Sequence, residues 1–139
     1  PVICVGELKK MPEQKRRGGP TRVEVKSNVS FQLQSALAGV LAEQAEKIVI
    51  AYEPVWAIGT GDPASGSYAA SVISQLRQVL VKKYSQNLAE RVRILYGGSV
   101  DSQNISEFIL QPEIDGVLAG GASLKAKEFI VICREAAGQ

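Results

Sequence analysis

The amino-acid sequence predicts an α/β fold built around a parallel sheet, and three observations point to this class. Short runs of β-branched and other aliphatic residues alternate with longer segments of helical periodicity, which is the pattern of βα units. One run, residues 48–51, is continuously apolar, as is usual for parallel strands. Glycines follow several runs where a strand would turn toward a helix. We therefore expect four consecutive βα units in a single domain over residues 1–139.

The first half of the chain contains the first two predicted units. Residues 2–5 form an apolar run, and residues 33–41 carry an apolar stripe at spacings of three and four. The segment between them, residues 9–28, mixes Pro and Gly with basic residues and is predicted to be a solvated loop. A second strand is predicted over residues 47–52, and a second amphipathic helix over residues 69–80.

The second half contains two shorter units. Residues 92–96 are predicted to form the third strand, with a short helix over residues 105–109. Residues 116–119 are predicted to form the fourth strand, and the last helix is expected over residues 129–136. Gly138 is placed to end that helix as its C-terminal cap.

The composition argues against several classes of function. The 16 Lys and Arg residues are balanced by 14 Asp and Glu, and a formal net charge of +2 does not indicate a nucleic-acid partner. The basic run Lys15, Arg16 and Arg17 could hold a phosphate, but we interpret it as surface charge. No apolar stretch approaches the ~20 residues of a membrane-spanning helix, and the first residues lack the zones of a signal peptide. We expect a soluble, cytoplasmic protein with no membrane association.

Two residue types limit the chemistry further. Cys4 and Cys133 both lie among aliphatic residues and are predicted to be buried thiols rather than a disulfide or a metal site. The sequence contains no histidine, which is the commonest metal ligand and the commonest general base. We therefore predict no metal site.

Glycine pairs follow the third and fourth predicted strands, at the end where βα proteins collect their functional groups. These are Gly97-Gly98-Ser99 and Gly120-Gly121-Ala122-Ser123. Glycine lets backbone N–H groups come close to an anion, and a helix behind them adds favourable partial charge. Either pair alone is typical of a tight turn, but the two together favour a phosphate site.

Glu53 ends the second predicted strand and is followed by Pro54. A carboxylate at the rim of an apolar sheet suits a general base, although a salt bridge to Lys or Arg is an equally good interpretation. The next residues, Val55-Trp56-Ala57-Ile58, are apolar and lead into Gly59-Thr60-Gly61. This pattern is typical of a hinged lid that excludes water, with an interface anchored by Trp as the alternative.

The run Ala51-Tyr52-Glu53-Pro54-Val55-Trp56-Ala57-Ile58-Gly59-Thr60-Gly61 resembles the signature and lid of the triose-phosphate isomerase family. Three further motifs resemble the family's fifth, seventh and eighth strand ends, in that order. They are Cys4-Val5-Gly6-Glu7, Tyr96-Gly97-Gly98-Ser99-Val100 and Asp115-Gly116-Val117-Leu118-Ala119-Gly120-Gly121-Ala122-Ser123-Leu124. A complete (β/α)8 barrel needs roughly 250 residues. The resemblance therefore implies four βα units that form the second half of a TIM barrel.

The resemblance also implies a function for the site. Glu53 would be the base that moves a proton between adjacent carbons of dihydroxyacetone phosphate and glyceraldehyde 3-phosphate, without metal or organic cofactor. Tyr96 and Ser99 would hydrogen-bond the closed lid near Ala64 and Gly61, and Leu118 would shield the carboxylate from water. The residues implied to hold the substrate phosphate are Gly59, Ser99, Gly120 and Gly121. The lid would consist of Pro54, Val55, Trp56, Ala57, Ile58, Gly59, Thr60 and Gly61.

The family's histidine and its substrate-binding lysine and asparagine belong to the first half of the barrel. Losing one preorganised electrophile typically costs about 10²–10³-fold in rate, so the isolated chain is expected to be nearly inactive. An open half-barrel would also expose unpaired strand edges and an apolar face. We expect it to pair with itself or with a complementary N-terminal half. The alternative function is a non-catalytic phosphate-binding half-barrel or an assembly module.

Overall fold

Three parallel strands form the sheet across the residues that the structure describes. The structure is a computed structural model, and it describes residues 1–9 and 22–138. Its strands are β1 (Val2–Val5), β2 (Val49–Tyr52) and β3 (Arg93–Tyr96), and they lie side by side in that order. Both pairs are parallel, and the last residues of the three strands lie opposite one another. The predicted α/β class with a parallel sheet is confirmed.

The fourth predicted strand, residues 116–119, pairs at one point only. Val117 forms a single parallel bridge with Tyr96. Beside it, the N–H of Tyr96 donates to the carbonyl of Gly116 at 3.0 Å, and the N–H of Leu118 donates to the carbonyl of Tyr96 at 2.8 Å. Glycines bound the run on both sides and weaken extended pairing there. The parallel order continues beyond β3, but within the described residues it does so without a fourth full strand.

Six helices follow the strands in the described part of the chain. Serine side chains cap two of them: the Ser65 hydroxyl accepts the N–H of Tyr68, and the Ser85 hydroxyl accepts the N–H of Leu88. The helices are α1 (Arg22–Ala36), α2 (Ala42–Ala45), α3 (Gly66–Lys83), α4 (Gln86–Arg91), α5 (Ile105–Ile109) and α6 (Ala126–Ala136). Gly138, with φ +71°, adopts the left-handed conformation expected just beyond the end of α6.

Helix α3 covers one face of the sheet. The middle of its predicted apolar stripe is fully buried, as Ala69, Ile73 and Leu76 have no exposed surface. These side chains belong to the same core as Ile50 of β2 and Ile94 of β3, both of which are also fully buried. The predicted amphipathic helix therefore fixes the sheet from one side.

The opposite face of the sheet is mostly apolar and partly uncovered, and it also carries the exposed Arg93 of β3. Side chains alternate along a strand, so Val2 and Cys4 of β1 lie on the face opposite to buried Val5. Val2 is 54% exposed, and Leu95 of β3 is half-buried on this same face. The prediction that Cys4 is a buried thiol is wrong for this reason. Cys133 is also exposed, because it lies on α6 beside, rather than on, the buried position Ile132.

Two predicted boundaries also differ from the structure. The solvated loop predicted over residues 9–28 is wrong from Arg22 onward, because α1 begins there. The basic run at residues 15–17 lies outside the described residues. The helix predicted over residues 33–41 ends at Ala36, since Gly39 has φ +75° and a left-handed residue ends an α-helix. In the parts that the structure describes, no helix is both long and apolar enough to cross a membrane.

Candidate active site

Glu53 stands at the carboxyl end of β2 between two glycines. Its N–H donates to the carbonyl of Val5 at 2.8 Å, which extends the parallel pairing by one residue. A Cβ at Gly97 would lie 2.9 Å from the Glu53 Oε1, and a Cβ at Gly6 would lie 1.8 Å from the Glu53 carbonyl oxygen. Neither position can carry a side chain without displacing Glu53. Gly6, after β1, therefore makes room for the Glu53 backbone, and Gly97, after β3, makes room for its carboxylate.

Helix α1 contributes to that arrangement through one side chain. The Gln32 Oε1 accepts the N–H of Gly6 at 2.9 Å, and the Gln32 Nε2 donates to the carbonyl of Gly6 at 3.0 Å. This double hydrogen bond fixes the backbone that packs against Glu53.

The Cys4 thiol lies beside the Glu53 carboxylate. Hydrogen bonding to that carboxylate, together with partial burial and the negative charge of Glu53, raises the pKa of Cys4 to about 11. The thiol is therefore protonated at neutral pH. The ion pairs found among the described residues, Arg77–Asp115, Arg91–Glu46 and Lys125–Glu128, do not include Glu53. The salt-bridge interpretation of Glu53 thus has no support in this part of the chain.

The segment predicted to be a lid, Pro54 to Gly61, folds back over the ends of the strands. Its centre, Val55–Ala57, is a single 3₁₀ turn. Ala57 at the end of this turn is fully buried, whereas the side chains of Val55 and Ile58 are about half exposed. Gly59 and Gly61 have φ of +68° and +75°, a region that glycine enters without steric cost. After the apolar turn, the chain therefore continues through Gly59 and Gly61, whose left-handed backbone conformation favours glycine.

Ser99 fastens the lid to the end of β3. Its hydroxyl accepts the N–H of Gly61 at 3.0 Å and donates to the carbonyl of Ala57 at 2.7 Å. Ser99 itself has φ +52°, an uncommon conformation for a residue with a side chain, and such strain is frequent at functional positions. The structure thus contains the contact with Gly61 that the family resemblance implied.

Tyr96 makes the second implied contact. Its hydroxyl accepts the N–H of Ala64 at 2.9 Å and donates to the carbonyl of Gly98 at 3.0 Å. Burial is the main cause that raises the pKa of Tyr96 to about 12, so the phenol stays protonated. A Cβ at Gly98 would lie 3.1 Å from the Cβ of Ala57, which leaves little space between lid and strand end.

Glu7 is a residue of this site that the sequence did not lead us to predict. It follows β1, is only 4% exposed, and its carboxylate accepts hydrogen bonds from the Tyr52 hydroxyl at 2.9 Å and the Trp56 Nε1 at 3.0 Å. The Val55 N–H donates to the Glu7 carbonyl at 2.9 Å. Trp56 is half-buried against this carboxylate, which does not favour the alternative of an exposed Trp at an interface. The signal in the sequence was weak, because Glu7 is a single polar residue two positions after β1 and only the fold brings its partners to the carboxylate.

Burial and the negative charge of Glu7 act on the tyrosines around it. They raise the pKa of Tyr68 to about 12, and they raise the pKa of Tyr52 well above its usual range. Both phenols therefore stay protonated and remain hydrogen-bond donors to Glu7.

The remaining predicted site residues lie in and just after the fourth predicted strand, residues 116–119. Gly120 precedes the 3₁₀ turn Gly121–Leu124, and its carbonyl accepts the N–H and the hydroxyl of Ser123. A Cβ at Gly120 or at Gly121 would meet no atom within 4 Å, so neighbouring groups of the described structure leave this end open. Leu118 is 38% exposed. The structure brings Ser99 into contact with the lid, Tyr96 into contact with Ala64 just after it, and Glu53 against Gly97. The roles of Gly120, Gly121 and Leu118 stay predictions.

Known proteins are similar to this chain over most of its length. The sequence profile of the triosephosphate isomerase family matches residues 1–136. Triosephosphate isomerase of Carboxydothermus hydrogenoformans is 48% identical over 134 residues, which are 96% of this chain and 50% of that protein. The enzyme of the same name from Dictyoglomus turgidum is 46% identical over 96% of this chain and 51% of its own length, and that of Idiomarina loihiensis is 48% identical over 99% and 51%. The chain spans about half the length of these curated relatives, and it belongs to the triosephosphate isomerase family.

Proposed function

We propose that this chain supplies the base, the lid and the phosphate-binding side of a triose-phosphate isomerase active site. The reaction would interconvert dihydroxyacetone phosphate and glyceraldehyde 3-phosphate. The observation that carries the proposal is the position of the Glu53 carboxylate, which lies against Gly97 at the same end of the sheet where Ser99 fastens the lid.

The chemistry proposed for Glu53 is a proton transfer between adjacent carbons. The carboxylate takes a proton from the carbon next to the substrate carbonyl and returns it to the neighbouring carbon. The Cys4 thiol beside this carboxylate stays protonated, because Glu53 and partial burial raise the pKa of Cys4 to about 11. A lid with an apolar turn lowers the access of water to the reacting carbons and so protects a reactive intermediate. The proposed reaction uses no metal and no organic cofactor.

The substrate phosphate would lie between the lid on one side and the ends of β3 and of the fourth predicted strand on the other. Gly59 and Ser99 would contact it from the lid side, and Gly120 and Gly121 from the other side. The left-handed conformation of Gly59 and the open surroundings of Gly120 and Gly121 are compatible with backbone N–H groups that approach an anion. Leu118 would shield Glu53 from water.

The proposal includes a second half of the barrel. We propose that the four βα units of this chain are the second half of a (β/α)8 barrel, completed by a complementary N-terminal half or by another copy of the chain. The partly uncovered sheet face with exposed Val2 and half-buried Leu95 supports this, because a barrel interior would cover these side chains. Without such a partner we expect little activity, since the family's lysine and histidine belong to the other half. We propose a cytoplasmic location from the glycolytic role of the family.

The proposal is tested by complementation. The chain is mixed with the N-terminal half of the Carboxydothermus hydrogenoformans relative, and turnover of dihydroxyacetone phosphate is followed. We expect turnover that is lost in the Glu53→Gln variant and kept in Glu43→Gln, a matched exchange of an exposed carboxylate on α2. Equal turnover with Glu53→Gln would contradict the proposed base. Binding of inorganic phosphate without any restorable turnover would instead favour a non-catalytic phosphate-binding half-barrel.

A further inference from the structure

Tyr68 lies in the first turn of α3, a short distance along the chain after the lid. Its hydroxyl donates to the Oε1 of Glu7 at 3.1 Å. Its ring meets the Trp56 ring edge-on, with 6.4 Å between the centroids and 61° between the planes. Tyr68 therefore touches both members of the Glu7–Trp56 hydrogen bond.

The Glu7 carboxylate joins the segment predicted to be a lid to strand β2 and helix α3. Trp56 belongs to the lid, Tyr52 belongs to β2 and is fully buried, and Tyr68 belongs to the long helix α3. All three side chains donate to the same buried carboxylate. A buried carboxylate is stable only when its hydrogen bonds are made, so each donor helps to hold the acceptor for the others.

We infer that Tyr68 is a positioning residue for the lid, holding the Glu7 carboxylate and the Trp56 indole in the arrangement that keeps the lid against the strand ends. This inference rests on the proposed function in one respect, namely that this segment is a lid over a bound substrate. Tyr68 would hold the lid through two contacts, which are its hydrogen bond to the Glu7 carboxylate and its edge-to-face contact with the Trp56 ring. Loss of the hydroxyl alone is expected to increase the open population of the lid roughly tenfold.

The experiment measures amide hydrogen exchange of the unliganded chain and of Tyr68→Phe, which keeps the ring and removes the hydroxyl. In the variant, the lid amides of Val55 and Gly61 are expected to exchange about ten times faster, while those of β2 keep their rates. Trp56 is the only tryptophan, so its fluorescence provides an independent signal, with greater quenching by acrylamide expected in the variant. The matched control is Tyr84→Phe, which removes the hydrogen bond from the Tyr84 hydroxyl to the Val40 carbonyl at the other end of α3.

Each outcome decides the inference. Unchanged exchange rates of the lid amides in Tyr68→Phe would overturn the inference. An equal rise of the exchange rates in the lid and in β2 would also overturn it, because it would show that Tyr68 stabilises the fold as a whole. A Tyr68→Phe chain that does not fold would overturn it for the same reason. Trp56→Phe provides a second variant, because it removes the lid's own donor. Exchange of the lid should rise there too, and adding Tyr68→Phe should change it by less than twofold if both act through Glu7. None of these measurements needs substrate, so a failed inference and a failed proposal for the reaction are distinguished.

Discussion

Replacing Glu53 by Gln is expected to make the Cys4 thiol more reactive. In the structure the carboxylate of Glu53 is the main reason that the pKa of Cys4 rises from 9.0 to about 11. The amide carries no charge, so the variant should bring this pKa back toward its ordinary value. Partial burial contributes to the shift and remains in the variant, so a complete return is the upper limit.

The magnitude follows from thiol chemistry. At about pH 8, a complete return would raise the thiolate fraction about 100-fold, because only the thiolate reacts. A thiolate of lower pKa is also a weaker nucleophile, which removes about a factor of ten from that gain. The net expectation is an alkylation rate up to about ten times higher at this pH.

The assay is alkylation by iodoacetamide under pseudo-first-order conditions, followed by intact mass. Cys133 is exposed as well, so both proteins carry Cys133→Ser to leave a single thiol. Glu43→Gln in the same background serves as the control and should react at the unmutated rate. Equal alkylation rates of Cys4 in the Glu53→Gln variant and in the protein with Glu53 would refute the contact between Cys4 and Glu53. That result would also contradict the orientation of the proposed base.

Three further substitutions have defined expectations. Gly97→Ala would place a Cβ about 0.5 Å inside ordinary contact with the Glu53 Oε1, and a displacement of this order should lower complemented turnover about 10- to 100-fold while circular dichroism shows an intact fold. Ser99→Gly removes both hydroxyl contacts with the lid but suits the left-handed backbone, so lid amides should exchange faster without loss of thermal stability; a lower melting temperature would contradict this. Leu76→Ala empties a fully buried position in α3 and should lower the free energy of unfolding by about 2–5 kcal/mol in urea titrations, and a loss below about 1 kcal/mol would contradict the assignment of Leu76 to the core.

The three strands and helix α3 were predictable because their signal is local. The apolar runs at β1, β2 and β3 are short and bounded, and the stripe through Ile73 and Leu76 has the period of a helix. The positions of Glu53 and the lid followed from the rule that parallel strands end at one edge of the sheet. That rule needs no knowledge of packing.

Two of the failures have non-local causes, and the other depends on one residue outside the apolar stripe. Cys4 lies in an apolar run and still is exposed, since burial depends on what covers the second face of the sheet. The end of α1 depends on the backbone conformation of Gly39, and nothing in the apolar stripe reports it. Glu7 looked like one polar residue after a strand, and only the fold brings Trp56 and Tyr68 to its carboxylate.

In the proposed reaction, Glu53 moves a carbon-bound proton of the substrate. This proton transfer is tested most directly by deuterium incorporation from D2O at the carbon next to the carbonyl of dihydroxyacetone phosphate, with the chain complemented by the relative's N-terminal half. We predict incorporation with the unmutated chain and with Glu43→Gln, and a loss of at least about 100-fold with Glu53→Gln. Incorporation at an unchanged rate in Glu53→Gln would contradict this prediction.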